Sequence, residues 1–420
     1  MRTKTLLFIG AGPEQVAGIL KARSMGLRVF VIDANPNARA IKFAHRFFNV
    51  STHDYEAAVE LAVWLNGRFR LDGVATIGVD APRTLAAISE KLGFFGPSWE
   101  TALFCSDKLL QKQALSRAGL PVPEFRLIDS HQDTEEMLER CGALVLKPTD
   151  SRGSRGVVQL HSSRDIAALL DIVRSNSPQG KVMAERMIRG AQISTESLII
   201  EGRAYTVGFS DRNYEYWDRF APHIIENGGD MPSRFTHLYE TINELIEHSA
   251  KVLGVRNGIL KGDIAVEGDK PIIIEFACRP SGGFFCTHQI PYSWGNDFAR
   301  LIIYMYLGNL PKLQPIDIRT FAGSSIRFVH PEPGLITKIS GIKDAYRAGA
   351  KSVRMLKLIG DQIPLPTNSN AAAAAIITKA PSRELAQIQA IQATRAIKFE
   401  IKPLTVDVRH EDISDCCAPR

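Results

Sequence analysis

The sequence is poor in several features, and each shortage removes a class of protein. No run of about 18 apolar residues occurs, so no transmembrane helix and no membrane partner are expected. Near the N-terminus the apolar stretch is only Leu6 to Ile9 before a Gly-rich turn, which reads as a buried strand and not as a signal peptide. Cysteine is scarce: Cys105, Cys141, Cys278, Cys286, Cys416 and Cys417 are the full set. Their spacing fits neither a zinc site nor a disulfide framework, so a reducing, cytoplasmic setting is expected. Charge of one sign is also lacking, because 51 Lys+Arg against 45 Asp+Glu leave a formal +6. A nucleic-acid binder would carry basic runs interleaved with aromatics; this mild excess suits anionic small molecules and argues against nucleic acid. No internal repeat is visible. The alanines at 371–375 are too few for low complexity and read as a buried strand or a helix start.

What is present is an ordinary globular balance, 45% hydrophobic and 23% charged over 420 residues, enough for two or three domains. Up to about residue 100, short apolar runs such as TLLFIG and LRVFVID alternate with helical patterns, which implies parallel βαβ units. The segment SDKLLQKQALSRAG then reads as a helix capped by Ser106 or Asp107 and stopped by Gly119. LVLKP and VVQLH read as strands flanking a Gly/Ser loop. Further strands alternate with helices between about 195 and 290, and a third region begins near 311 with the strand pattern SSIRFV and ends with a helix over 382–397. The polar tail holding Cys416 and Cys417 reads as frayed.

Several motifs point to phosphate chemistry. Gly10-Ala11-Gly12-Pro13-Glu14-Gln15 follows a strand and opens a helix, with Asp33 at the end of the next strand. Gln15 stands where a dinucleotide fingerprint needs its third glycine, so the favoured reading is a tight turn whose helix amides can hold some anion. The loop Asp150 to Gly156 lies between strands and lacks the Gly-Lys-Ser/Thr ending of a Walker sequence. A Gly/Ser loop of this kind can fold over phosphates and offer backbone N–H groups. Lys147 stands directly before it, where it reaches an α- or β-phosphate or else snorkels to solvent.

The stretch Lys261 to Arg279 reads as a hairpin turning on Gly268-Asp269-Lys270. With that three-residue turn Glu267 pairs with Pro271, and Asp263 falls opposite Glu275. Two facing carboxylates repel. A hard cation such as Mg²⁺, bound by one or two carboxylates and by phosphate oxygens, removes the penalty. Arg279 follows on the face of Glu275 by the period of two. Pro280, Ser281, Gly282 and Gly283 come next, with His288 beyond as a loop histidine able to contact substrate or move a proton.

Taken in order, these pieces resemble the ATP-grasp superfamily, in its biotin-carboxylase-like branch of carboxylate–amine ligases, over about Leu6 to Ile397. The resemblance implies an α/β and α+β architecture: an N-terminal parallel αβ domain at 1–103, a central ATP-grasp domain at 104–310 with a lid at about 121–195, a small C-terminal αβ domain at 311–405, and a tail at 406–420. By the same resemblance ATP is held by Lys108, Lys147, the loop residues Gly153, Ser154 and Gly156, the hinge residues Glu185 and Ile188, and Gln192 at the ribose position. Asp263 and Glu275 would bind Mg²⁺. Arg279, Lys261 and His288 would be catalytic, and Ser281, Gly282 and Gly283 would meet substrate. The sequence departs from the family where Gln192 replaces a glutamate and Ala277 replaces a metal-binding asparagine. The implied reaction phosphorylates a small carboxylate, such as an amino acid, and couples the acyl phosphate to an amine with release of ADP and phosphate. Rival readings are a purine-pathway ligase acting on a ribotide or formate, and a nucleotide-binding regulator without turnover; a dehydrogenase ranks third. A homodimer is the default assembly.

Overall fold

TLLFI forms the strand Thr5–Ile9, and all five of its side chains are buried. It pairs in parallel with Arg28–Ile32 on one side and Gly73–Thr76 on the other. A short strand, Arg46–Phe48, closes the edge of this sheet. A parallel sheet needs both faces covered, which explains the unbroken apolar runs. The helices Gln15–Ser24 and Tyr55–Phe69 lie between these strands in the chain, and Pro82–Leu92 follows the last of them. The Gly-rich turn is held from within. The Ala11 N–H donates to Asp33 at 2.8 Å, and Gln15 donates its side-chain amide to the Ile77 carbonyl at 2.7 Å. Gln15 thus fills the space that a third glycine would leave open. The computed structural model describes residues 2–368 and 371–403, so the expected tail 406–420 with Cys416 and Cys417, and positions 404–405, lie outside the described residues.

A second sheet lies within the span expected for a lid. Its strands Phe125–Ile128, Val182–Arg186, Leu144–Pro148 and Val158–Leu160 pair antiparallel in that spatial order. The helices His131–Cys141 and Ile166–Ser175 close over it, and residues such as Leu146, Val158 and Leu170 form a core of their own.

The largest sheet has eight antiparallel strands in the order Lys270–Ala277, Gly258–Glu267, Ala191–Ile200, Arg203–Asn213, Gly228–Met231, Gly323–Val329, Ala374–Ala380 and Ala350–Met355. The last three come from the region expected to form the small C-terminal αβ domain. They continue the central sheet, so the two regions share one hydrogen-bonded framework. The alanine run resolves into the buried approach to Ala374–Ala380. Small side chains there and at Ala386, Ala390 and Ala393 let the helix Arg383–Ala396 lie close. Three more strands, Gly334–Ser340, Gln362–Ile363 and Lys398–Lys402, form a small outer sheet. Among the described residues no helix is long and apolar enough to cross a membrane.

The hairpin differs from expectation in an instructive way. Its turn has two residues, Gly268 and Asp269, both in the left-handed region at φ 54 and 60, with Glu267 paired to Lys270. Two left-handed residues match the twist of the flanking strands. That register alone would set Asp263 opposite Ile274. A bulge at Ile274 inserts one residue, and Asp263 pairs with Glu275 after all. A one-residue slip flips every side chain to the other face, so the bulge decides whether the two acids share a surface.

The strand Ala191–Ile200 begins right after Gly190, whose Cα faces the hairpin backbone. A Cβ built there would stand 1.8 Å from the Val266 carbonyl oxygen. Gly190→Ala must therefore push the chain before this strand off the hairpin. The expected cost is about 1–3 kcal/mol, read as a lower thermal and denaturant midpoint.

Candidate active site at the acidic hairpin

Strand periodicity assembles the floor of the site. Side chains two apart share a face, so Gln192, Ser194 and Glu196 line up on one strand. The register sets Ser194 beside Asp263 and Glu196 beside Lys261, and then Asp263 beside Glu275. Arg212 reaches in from the next strand, its Nη1 at 2.8 Å from Asp263. Lys261 also pairs with Asp263, and the Ser194 hydroxyl donates to the same carboxylate at 3.2 Å. Burial pushes the Asp263 carboxyl up, but Arg212 and Lys261 outweigh it and hold the group well below the usual carboxylate range. At Glu275 burial and repulsion from Asp263 act upward; Lys108 foremost, then Lys261 and Lys147, bring it below its ordinary value. Both acids are therefore ionised at neutral pH.

One helix clamps the open edge of this sheet. The helix Lys108–Arg117 starts at Asp107, whose carboxylate accepts from the Leu109 and Leu110 N–H groups. Residues three and four apart face the same way. Lys108 Nζ stands 3.8 Å from Glu275 and donates to the Ser151 carbonyl at 2.6 Å. Gln111 pairs with both backbone groups of Phe276, at 2.8 and 2.7 Å, as a strand would. Lys112 donates to the Ile273 carbonyl at 2.7 Å.

Beneath lies a buried triad. Glu185 stands between Lys147 at 2.7 Å and Lys112 at 3.4 Å. All three are nearly sealed, with exposures of 2%, 4% and 1% for Glu185, Lys147 and Lys112. Burial and then the neighbouring Lys147 bring Lys112 down to about 8, with Glu185 opposing both. The Glu185 side chain is thus committed to the lysines, and the adjoining hinge backbone runs through Met187, whose N–H meets the Ala143 carbonyl at 3.0 Å, to the part-buried Ile188. Gln192 accepts a hydrogen bond from the Tyr214 hydroxyl at 2.9 Å. In the Gly/Ser loop Gly153, Ser154 and Gly156 all adopt left-handed backbone, and Gly156 packs tightly against Asn176. Lys108, through Ser151, ties this loop to the hairpin.

The segment after the hairpin forms the far wall. Arg279 lies 3.8 Å from Asp80, and both line one pocket with Lys108 and Glu275. The Ser281 N–H donates to Glu196 at 3.1 Å, and its hydroxyl bonds the same carboxylate. Burial raises Glu196 to about 7, although Ser281 and then Arg279 and Lys261 draw it down. Gly282 is a glycine for a reason: a Cβ there would stand 2.3 Å from a Glu14 oxygen. Gly78 leaves the matching gap across the notch, where a Cβ would come 2.8 Å from the same oxygen. Desolvation raises Glu14, while the Gly283 N–H and Arg279 oppose it.

His288 is placed apart from the acids. It is 7% exposed, Arg354 donates to its Nε2 at 2.8 Å, and Thr287 lies 2.9 Å from its Nδ1. None of these partners belongs to the hairpin. Sequence reasoning did not single out Lys112, Glu196, Glu14 or Asp80. The signal for Glu196 was available, as the i+4 companion of Gln192 on an alternating strand. The others depend on contacts between distant segments.

The donor set suits magnesium bound with a nucleotide. Asp263 and Glu275 are ionised and adjacent, both are oxygen donors, and Ala277 opposite Lys261 offers nothing further. Among the described residues no group of three or more His, Cys, Asp or Glu could hold a metal by itself. Phosphate oxygens must complete the shell.

Residues 105–283 match the family described as ATP-grasp domain, and residues 327–402 match that described as L-amino acid ligase C-terminal domain 2. The fold is similar to a crystal structure of L-amino acid ligase from Bacillus licheniformis, with a TM-score of 0.80 at 20% identity over 96% of this chain and 100% of that one. The sequence is 22% identical over 283 residues to a formate-dependent phosphoribosylglycinamide formyltransferase of Methanocaldococcus jannaschii, covering 65% of this chain and 69% of that protein. It is 24% identical over 276 residues to a D-alanine–D-alanine ligase of Acidovorax ebreus, covering 63% and 75%.

Two outcomes follow from this geometry. Glu185→Gln leaves Lys112 and Lys147 buried without a counter-charge, and should cost about 3–5 kcal/mol in equilibrium unfolding. Burial, then Arg354 at His288 and Arg219 at His330, lowers both histidines from 6.5 to about 4. The unfolded chain therefore binds more protons than the folded one between those values. Their contribution to stability should fall as pH drops from about 6.5 to about 4, and His288→Gln should flatten the slope of melting temperature against pH.

Proposed function

From the premise that this chain is an ATP-grasp ligase, we propose that it activates a small carboxylate, such as that of an amino acid, as an acyl phosphate and transfers the acyl group to an amine. The observation that carries this reading is the ionised pair Asp263 and Glu275 on one sheet face, with Lys108, Lys147 and Arg279 converging on it. Such a cluster suits a polyphosphate with its metal. The hinge 185–192 and the loop 150–156 border the same space and suit the adenosine and phosphate ends of ATP.

In this reading Lys108 and Lys147 neutralise phosphate oxygens, and the loop covers them. Magnesium, when bound by Asp263 and Glu275, supplies further neutralisation of the phosphate chain. Arg279 holds the carboxylate to be activated and meets the charge that spreads over the transferred phosphoryl group. A carboxylate oxygen forms a bond to the γ-phosphorus as the β–γ bridging oxygen leaves with ADP. The amine lone pair then attacks the acyl carbon, the bond from that carbon to the phosphate oxygen breaks, phosphate departs, and the nitrogen loses a proton. Glu14, lodged at the Gly78–Gly282 notch, suits a substrate ammonium group. The four-stranded lid keeps water from the acyl phosphate. A cytoplasmic setting fits a reaction on free metabolites.

The test is phosphate release from Mg-ATP with pools of carboxylates and amines, with products read by mass spectrometry. ADP and phosphate should form only when a carboxylate is present. Glu275→Gln should lower kcat by about 10²–10³-fold. AMP and pyrophosphate as products, or absence of ATP binding, would sink the reading.

A further inference from the structure

The buried triad at the hinge holds one positive charge in excess. Glu185 is a single carboxylate, and two lysines face it, Lys147 at 2.7 Å and Lys112 at 3.4 Å. Among the described residues neither lysine forms an ion pair with another acid. Burial foremost, against the pull of Glu185, lowers Lys112 to about 8, so it is still a cation at neutral pH. A buried ammonium is costly even when paired, and an apolar side chain of similar volume packs as well or better. Packing alone therefore does not account for a lysine at this position.

Lys112 is fixed, whereas Lys147 is placed to act. The Lys112 Nζ donates to the Ile273 carbonyl at 2.7 Å, and its residue shares a face of the helix Lys108–Arg117 with Lys108. The carboxylate oxygen that it meets, Glu185 Oε1, is buried without a hydrogen bond, while Oε2 is taken by Lys147. Lys147 belongs to the lid strand Leu144–Pro148, and the Gly/Ser loop follows that strand. With Glu185 as its sole neighbour, Lys147 would meet a phosphate as one half of a neutral pair. With Lys112 beside the same carboxylate, the charge of Lys147 is not cancelled. In a nearly dry interior that difference is little screened.

We propose that Lys112 is a positioning residue for the nucleotide: it serves as the standing counter-ion of Glu185 and so leaves the Lys147 ammonium free to hold an ATP phosphate. Lys112 itself touches no ligand in this scheme. The inference rests on the ligase reading of the site, which puts phosphates at Lys147. Its consequence is that the preference for ATP over adenosine, which has the same base and sugar without phosphate, follows the net charge of the triad. In the wild type that charge is two lysines less one carboxylate. It falls to nothing when Lys112 is made neutral, and returns to the wild-type value when Glu185 is made neutral as well.

The experiment measures dissociation constants for ATP and adenosine in the presence of magnesium, by calorimetry and by competition against a fluorescent ATP analogue. Wild-type protein, Lys112→Met, Lys112→Gln and the double variant Lys112→Met with Glu185→Gln are compared. Lys112→Gln keeps a donor for the Ile273 carbonyl, so it removes the charge and spares that bond. Both single variants should lose about tenfold or more of the preference for ATP, with adenosine affinity held within about twofold. The double variant should return to within about threefold of the wild-type preference, because its triad carries the wild-type charge. An unchanged preference in both single variants, equal losses for ATP and adenosine, or a double variant no better than Lys112→Met would overturn the inference with the ligase reading intact. No binding of ATP by the wild type would overturn the ligase reading and this inference with it.

Discussion

Two carboxylates kept ionised side by side are the constraint on which the site depends. Asp263 and Glu275 repel each other across a hairpin, and burial adds to the cost. The sheet tolerates them only because cations arrive from four separate segments. Lys261 comes from the hairpin itself, Arg212 from a strand two places away, Lys108 from the edge helix and Lys147 from the lid sheet. Each of these segments is thereby tied to the others, and any ligand that enters meets a preassembled field of alternating charge.

The same logic operates one layer down. Glu185 unites Lys147 of the lid with Lys112 of the edge helix in a nearly dry environment. A buried pair of lysines holds only while the carboxylate stays. The lid is therefore tied to the floor by a triad as well as by its connecting chain, and the adjoining hinge is positioned by an electrostatic contact. On the floor strand Glu196 has the reverse character. It is buried against neutral donors from Ser281 and has a raised affinity for its proton, so one sheet face carries acids in two protonation regimes.

The hairpin shows how legible such a site is from residues alone. Alternation and the Gly-Asp turn point to two acids facing each other, and they do face each other. The route differs, because a two-residue turn and a bulge at Ile274 together give the register that a three-residue turn would have given. Turn chemistry is local and can be read; a bulge is stabilised by what packs around it. The opening Gly-Ala-Gly turn is legible in the same partial way, since the missing third glycine disfavoured a dinucleotide site, while the use of Gln15 to bond Ile77 required the fold. His288 stood out as a loop histidine, but its bonds to Arg354 and Thr287 are decided by a segment far along the chain.

The sequence by itself determined the order of elements, the parallel N-terminal sheet, the two lysines ahead of a Gly/Ser loop, and the acid pair with its following arginine. These follow from periods of two and 3.6 and from turn residues, which act over a few positions. Tertiary structure alone decided that the third region would extend the central sheet, that Lys112 and Glu185 would form a buried triad with Lys147, and that Glu14 would enter a notch between Gly78 and Gly282. The physical reason is range. Backbone preference is set by neighbours in the chain, whereas the ionisation and partnership of a buried group are set by through-space distance to groups that the chain separates by many residues.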